Sequence, residues 1–172
     1  MRVTNLVYTT RLSHTLDLPT LAKYGHYDPN RFRGLIVRVG GTCLVFHNGQ
    51  VVIVGVKTKK QAVQSVHCLV KLIHDTGMKT NLAWELKLKN IVAFHDYAVK
   101  LNLCDLYNQL RKTYLVSFEP ELSPALMLKL PYTVRIFRNG KVIFTGLRNF
   151  SELDSAYERV ANIVNTSKNT SN

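Results

Sequence analysis

The stretch TCLVFHNGQVVIVGVK, from Thr42 to Lys57, is written twice in this chain, its second copy being TVRIFRNGKVIFTGLR from Thr133 to Arg148. Phe46 matches Phe137, Asn48 matches Asn139, Gly49 matches Gly140 and Gly55 matches Gly146, all at an interval of 91 residues. So constant an interval means that a unit of about half the chain has been duplicated, and the fold must be built from two like halves. Each copy predicts a β-hairpin: an apolar run, an Asn-Gly turn whose two residues tolerate positive φ, and a second apolar run closed by a glycine. Along it Cys43, Val45, Val51 and Ile53 alternate with Leu44, Phe46, Val52 and Val54. Both faces of the sheet are therefore apolar, where a half-solvated antiparallel sheet carries one polar face. Each face requires a cover.

The duplication extends outward from the hairpin. YDPNRFRGLIVRV, Tyr27 to Val39, matches FEPELSPALMLKL, Phe118 to Leu130, at the same interval, and TNLV, Thr4 to Val7, matches KNIV, Lys89 to Val92, at an interval of 85. The difference predicts a change in loop or first-helix length. Strands are expected over Thr4–Thr10 and Leu35–Val39, with short helices after Asp17 and over Asn102–Lys112 and a loop over Thr113–Leu122. A long amphipathic helix follows each hairpin. Thr58 and Gln61 have capping-box spacing ahead of a stripe of Ala62, Val66, Leu69, Val70 and Ile73; Ser151 and Asp154 are expected to open the second helix, whose stripe is Leu153, Ala156, Tyr157, Val160 and Ile163. Helices so connected can cover one sheet face only. The other apolar face is left for a partner.

The charge balance indicates what kind of partner. With 23 Lys and Arg against 11 Asp and Glu, the chain of 172 residues carries a formal charge of +12, as expected of a protein that meets nucleic acid or another anionic surface. No apolar run is long enough to span a bilayer, and the N-terminal MRVTNLVYTTRLSH lacks the apolar segment of a signal peptide, so a soluble intracellular protein is expected. Cys43, Cys68 and Cys104 lack metal-ligand spacing and are read as reduced, small buried residues, two of them on predicted core faces, and not as a disulfide framework or a zinc site. Trp84, in the crossing segment Thr80–Lys89, is expected in the core. The six histidines are scattered, no phosphate-cradling glycine loop is present, and the acidic residues do not pair, so the chain does not read as an enzyme and no cofactor, metal or small-molecule substrate is expected.

Taken together, the paired NLV and NIV, the RF ahead of a strand, LVF-NG-V-G, EPEL-P and IF-NGKV-TG resemble the core domain of the TATA-box-binding protein (TBP) family, from about Thr4 to Val164. The resemblance implies an α+β fold, a TBP-like saddle. Two pseudo-symmetric repeats, 1–82 and 83–164, would form a curved antiparallel sheet with helices on the convex face, and residues 165–172, rich in Ser, Thr, Asn and Lys, would be a disordered tail. It also implies a general transcription initiation factor that binds and bends TATA-like promoter DNA in the minor groove, with TFIIB, TFIIA and the RNA polymerase initiation machinery as partners and no membrane. Such a factor acts in the nucleus, or wherever the transcription machinery of the source or its host resides.

Carried over position by position, the resemblance makes Asn5 and Asn90 the central pair that hydrogen-bonds to the bases. Val7, Val92, Leu44, Val52, Ile143, Val54 and Thr145 would line the groove contact, Phe32 and Phe46 would be the wedge pair of the first half, and Phe137 one member of the second. Arg38, Lys129 and Lys141 would meet phosphates, Glu119, Glu121 and Leu122 would bind TFIIB, and Lys57, Lys59, Lys60 and Lys71 mark a possible partner helix. Three positions depart from the family pattern. Ser123 stands where the second half has its partner phenylalanine and cannot wedge a base step; Arg135 stands where it has a leucine on the groove-facing surface and, as a DNA-binding residue, would favour phosphate or narrow-groove contact over stacking; and Val54 stands where it has threonine, so that one polar contact to the bases is weakened. The alternative is a TBP-related paralogue that has lost TATA selectivity and acts at other promoters or as a competitor. A non-catalytic nucleic-acid-binding module of a repair system is a further alternative, against which the absence of a second domain speaks.

Overall fold

The computed structural model describes residues 1–81 and 83–169. They form two compact units, one of Asn5–Lys89 and the other of Met1–Thr4 with the residues from Asn90 onward. The first unit holds β1 (Arg2–Arg11, whose first three residues count with the second unit), a short helix α1 (Leu18–Leu21) continued by one 3-10 turn (Ala22–Tyr24), β2 (Leu35–Val39), β3 (Gly41–Val45), β4 (Gln50–Val56) and the long helix α2 (Lys59–His74). The second unit repeats the plan with β5 (Lys87–Asp96, its first residues counted with the first unit), α3 (Leu103–Leu110), β6 (Leu115–Ser117), β7 (Ala125–Lys129), β8 (Thr133–Phe137), β9 (Lys141–Leu147) and α4 (Phe150–Asn169). Strands run in the order β2-β3-β4-β1 in the first and β5-β9-β8-β7-β6 in the second, with antiparallel pairing within each. This is the expected α+β class.

One face of each sheet is sealed by its helix. Thr58 Oγ1 accepts from the Gln61 backbone N–H at 3.1 Å and Gln61 Oε1 accepts from the Lys57 N–H at 2.8 Å, the reciprocal capping box that the spacing predicts. From this start Ala62, Val66, Leu69 and Ile73 are buried against the strands that carry Val37, Cys43, Val45 and Ile53, while Val70 lies half-buried at the margin. In the second unit the cap is not at Ser151 and Asp154. Asn149 Oδ1 accepts from the Glu152 N–H at 2.7 Å and Glu152 Oε2 accepts from the Arg148 N–H at 2.8 Å, so the box begins two residues earlier, at the position that matches Thr58 by the repeat interval. Leu153, Ala156, Val160 and Val164 then face the core, with Tyr157 and Ile163 at its edge.

The hairpins differ from the expected two-residue turn. Phe46 N–H donates to Gln50 O and Gly49 N–H to Phe46 O, both at 2.9 Å, and only the glycine has positive φ, +75°, which makes a longer turn closed by a left-handed glycine. Leu12 N–H donates to Gly49 O at 2.9 Å, drawing the chain after β1 so close that a Cβ on Gly49 would lie 2.0 Å from Ser13 O. Gly55 also has positive φ, but nothing lies within 4 Å of where its Cβ would be. A left-handed alanine costs about 1–2 kcal/mol by itself, and Gly49→Ala adds a main-chain collision. At about 2–4 °C per kcal/mol for a chain of this size, Gly49→Ala should lower Tm by roughly 10 °C and Gly55→Ala by only a few degrees, as read by thermal unfolding.

Other expectations are corrected. Cys43 is buried, but Cys68 and Cys104 are both exposed: each lies just off the apolar stripe of its helix. Trp84 is half-buried, its ring edge-on to His67 of α2 at 5.3 Å, and does not enter the core. The loop expected from Thr113 contains β6, three residues paired with β7, with Leu115 74% exposed. Helix α4 continues to Asn169 through residues expected to be disordered; residues 170–172 of that tail, and Leu82 at the expected repeat boundary, lie outside the described residues.

Candidate nucleic-acid interface

The face of each sheet away from the helix is apolar and half-exposed, and strand register turns it into ordered rows. In the first unit Ile36, Leu44, Val52 and Thr9 are successive cross-strand neighbours; in the second, Met127, Arg135, Ile143 and Phe94 occupy the same row. The next row holds Arg38, Thr42 and Val54 in the first unit and Lys129, Thr133 and Thr145 in the second, with Lys129 Nζ donating to Thr133 Oγ1 at 3.1 Å. Val7 and Val92 lie half-buried on the same faces, and Lys141 is exposed at the start of β9. Thr9 shares the parity of Asn5 and Val7 along β1, as the sequence pattern predicts, whereas Ile36, Met127 and Phe94 are additions to the face. Their parity in the strand with Arg38, Lys129 and Val92 was the signal that could have found them.

One asparagine stands on each face, and its orientation is fixed. Asn5 Oδ1 accepts from the Gly55 backbone N–H at 2.8 Å, and Asn90 Oδ1 accepts from the Gly146 N–H at the same distance. Since a backbone N–H can only donate, the oxygen is assigned by chemistry, and each amide NH2 is left to point outward as a donor. Gly55 and Gly146 have φ of +77° and +86°, and this left-handed turn aims their N–H groups across at the asparagines. The glycine closing each hairpin therefore belongs to the site.

The loops at the ends of the two sheets are not equivalent. Phe32 and Phe46 form an edge-to-face pair with centroids 5.7 Å apart, and Phe32 is 36% exposed. Beneath them a Cβ on Gly34 would lie 2.7 Å from Phe32 Cε1 and 3.2 Å from Phe46 Cε1, so the pair rests on bare backbone. In the second unit the matching residues are Ser123, Phe137 and Ala125. Phe137 lies across from Ala125, whose methyl is buried, and Ser123 Oγ is occupied by the Ala125 N–H at 3.3 Å. One ring remains where the first unit has two.

The chain from Glu119 to Ser123 is a tight turn in which Leu122 and Ser123 N–H both donate to Glu119 O at 2.9 Å; Glu119 and Glu121 are exposed, and Leu122 is 82% exposed. Lys57 precedes α2, and Lys59, Lys60 and Lys71 stand on it, all exposed. None of these acids or lysines is ion-paired among the described residues, where the two pairs present are Arg31–Asp28 and Lys87–Glu85. Burial, with Cys68 adding to it, pushes the Cys43 thiol up to about 12, so it stays protonated and inert. No group of three His, Cys, Asp or Glu among the described residues could hold a metal ion.

Comparison with known proteins agrees with this geometry. The family model described as transcription factor TFIID, or TATA-binding protein, matches residues 1–76 and 85–167. The TATA-box-binding protein of Archaeoglobus fulgidus is 31% identical over 96% of this chain and 95% of its own length, and that of Methanocaldococcus jannaschii 28% identical over 95% and 93%. The solved structure of Methanococcus jannaschii TBP superposes with a TM-score of 0.85 at 28% identity, covering 96% of this chain and 98% of that one. No helix among the described residues is long and apolar enough to cross a membrane. The chain belongs to the TATA-binding protein family, a non-catalytic family of DNA-binding transcription factors.

Proposed function

We propose that this protein binds TATA-like promoter DNA through the minor groove, bends it, and recruits TFIIB and TFIIA to assemble an initiation complex for RNA polymerase. The observation that carries the reading is the outward NH2 of Asn5 and Asn90, held by Gly55 and Gly146 on an otherwise apolar surface. The minor-groove edges of A·T pairs offer only acceptors, so fixed donors amid apolar side chains suit them, whereas the G·C amino group would confront donor with donor. Val7, Leu44, Val52 and Val54 in one repeat and Val92, Ile143 and Thr145 in the other supply the apolar contact. Arg38, Lys129 and Lys141 meet phosphates, and Phe32, Phe46 and Phe137 wedge base steps. The repeats are 1–82 and 83–164, and the site of action is the nucleus or wherever the transcription machinery of the source or its host resides. The second reading, a paralogue with relaxed TATA selectivity, is favoured by Ser123 and Arg135. A gel shift comparing TATA duplex with scrambled duplex, with and without TFIIB, separates the two: equal affinity for both duplexes with TFIIB still recruited would establish the second.

Recruitment rests on the exposed turn of Glu119, Glu121 and Leu122, which has no structural work to do beyond its own backbone bonds. Reversing both charges, Glu119→Lys with Glu121→Lys, should leave Tm within about 2 °C and DNA affinity no lower, since exposed charges contribute less than about 1 kcal/mol to stability. TFIIB supershift should be lost. Normal recruitment by the double variant would remove these residues from the interface. Lys57, Lys59, Lys60 and Lys71 of the α2 region offer a second, basic surface for a regulator or another initiation factor.

A further inference from the structure

The middle row of the open face differs between the repeats in one chemically decisive place. In the first repeat Leu44 sits between Ile36 and Val52; the cognate residue in the second, Arg135, sits between Met127 and Ile143. Arg135 is exposed, with no ion pair or side-chain hydrogen bond to any described residue. A guanidinium pressed against a duplex from an apolar sheet must exchange its water for acceptors. Two sources exist in DNA, the phosphates along the rim and the A·T edges on the groove floor, and Arg135 is in the middle of its strand and of its row. A narrow A-tract groove strengthens the second source, because its concentrated negative potential attracts arginine. Wedging works against this, since opening the groove spreads that potential.

The same repeat is the one that lacks the second ring of the wedge pair. Ser123 stands where Phe32 stands, with its hydroxyl turned to the Ala125 N–H, and the Ala125 methyl fills the place that Gly34 leaves bare. Loss of the ring pair and gain of the cation fall in one repeat, and both favour duplex that stays stacked and narrow.

We infer that Arg135 makes the second repeat a reader of narrow, A·T-rich minor groove, so that the two halves of the DNA site obey different rules: a flexible TA-type step beneath Phe32 and Phe46, and an uninterrupted A-tract beneath Arg135. This rests on the minor-groove reading proposed above. It makes Arg135 a specificity-determining residue.

The test uses the full chain and three duplexes, with TA steps in both halves, A-tracts in both halves, or one of each; the protein selects its own orientation on the mixed duplex. In competition gel shifts the wild type should prefer the mixed duplex by about tenfold over either uniform one, the order of discrimination carried by one well-placed base contact. Arg135→Leu, which restores the first repeat's residue, should bind mixed and all-TA duplexes within about twofold of each other, at unchanged Tm. Arg135→Lys should keep part of the preference. Replacing the A-tract adenines by 2,6-diaminopurine, which adds a minor-groove amino group, should weaken wild type and Arg135→Leu alike through the outward Asn90 donor, and should in addition cost the wild type its advantage over Arg135→Leu on the mixed duplex. If Arg135→Leu weakens all three duplexes equally, Arg135 is a phosphate contact and the inference is overturned while the minor-groove reading stands. If the wild type binds none of the duplexes above scrambled DNA, the inference falls together with the TATA-selective reading.

Discussion

Phe46→Ala should lower affinity for a TATA duplex by roughly 10- to 100-fold, while Phe137→Ala should lower it by no more than about fivefold. An aromatic ring against a base is worth about 1–3 kcal/mol by alanine substitution, and Phe46 acts with a partner that Phe137 lacks. The Phe32–Phe46 edge-to-face pair, 5.7 Å between centroids, holds each ring in place, so removing one also loosens the other, at a cost of about 0.5–1.5 kcal/mol beyond lost area. Phe46 is only half-buried, and its main-chain bonds to Gln50 and Gly49 do not need the ring, so Tm should move by a few degrees at most. Fluorescent base analogues at the two kinked steps should report full unstacking at the first repeat's end and weak unstacking at the other; equal unstacking at both ends would refute the asymmetry. Building a second wedge needs two changes. A phenylalanine at 123 would meet the Ala125 methyl where Phe32 crosses bare backbone, so Ser123→Phe with Ala125→Gly should increase bending more than Ser123→Phe alone.

Much of this architecture is legible in the sequence because a duplication states each fact twice. Asn5 and Asn90, or Gly55 and Gly146, are ordinary residues singly; recurring at matching places they mark positions that both halves need. Thr58 and Gln61 were readable because a capping box is local, closed by bonds within four residues. What remained hidden depends on partners remote in sequence. That Gly55 turns its N–H to Asn5 is a contact across 50 residues, invisible until β4 and β1 are paired. Strand β6 is three residues long and exists only because Met127, Leu128 and Lys129 lie beside it, which no alternation over three positions reveals. The second cap was missed because Ser151 is as good a capping residue as Asn149 by type, and only the interval from Thr58 distinguishes them. Cys68 and Cys104 were misplaced for a related reason: a helix turns about 100° per residue, so a small error in the phase of a stripe carries a neighbour from core to solvent.

Affinity for DNA should fall steeply with salt, by roughly 40-fold between 50 and 200 mM. The chain carries a formal charge of +12, and the two ion pairs among its described residues, Arg31–Asp28 and Lys87–Glu85, leave Arg38, Lys129 and Lys141 without an acidic partner. A cation already neutralised by an acid displaces few counterions when it reaches a phosphate; these three have no such partner to give up. With a slope of about −0.9 for each phosphate neutralised, three contacts give a slope near −2.7 for log affinity against log salt, which over a fourfold change in salt is a factor of about 40. Lys129→Gln should reduce the slope by about one and weaken TATA and scrambled duplexes alike, since phosphates carry no sequence information. Glu121→Gln, exposed in a turn outside the cross-strand rows, should leave it unchanged. A slope near zero in the wild type would mean that the apolar rows and the two asparagines bind alone, and that the positive charge of this chain serves something other than DNA.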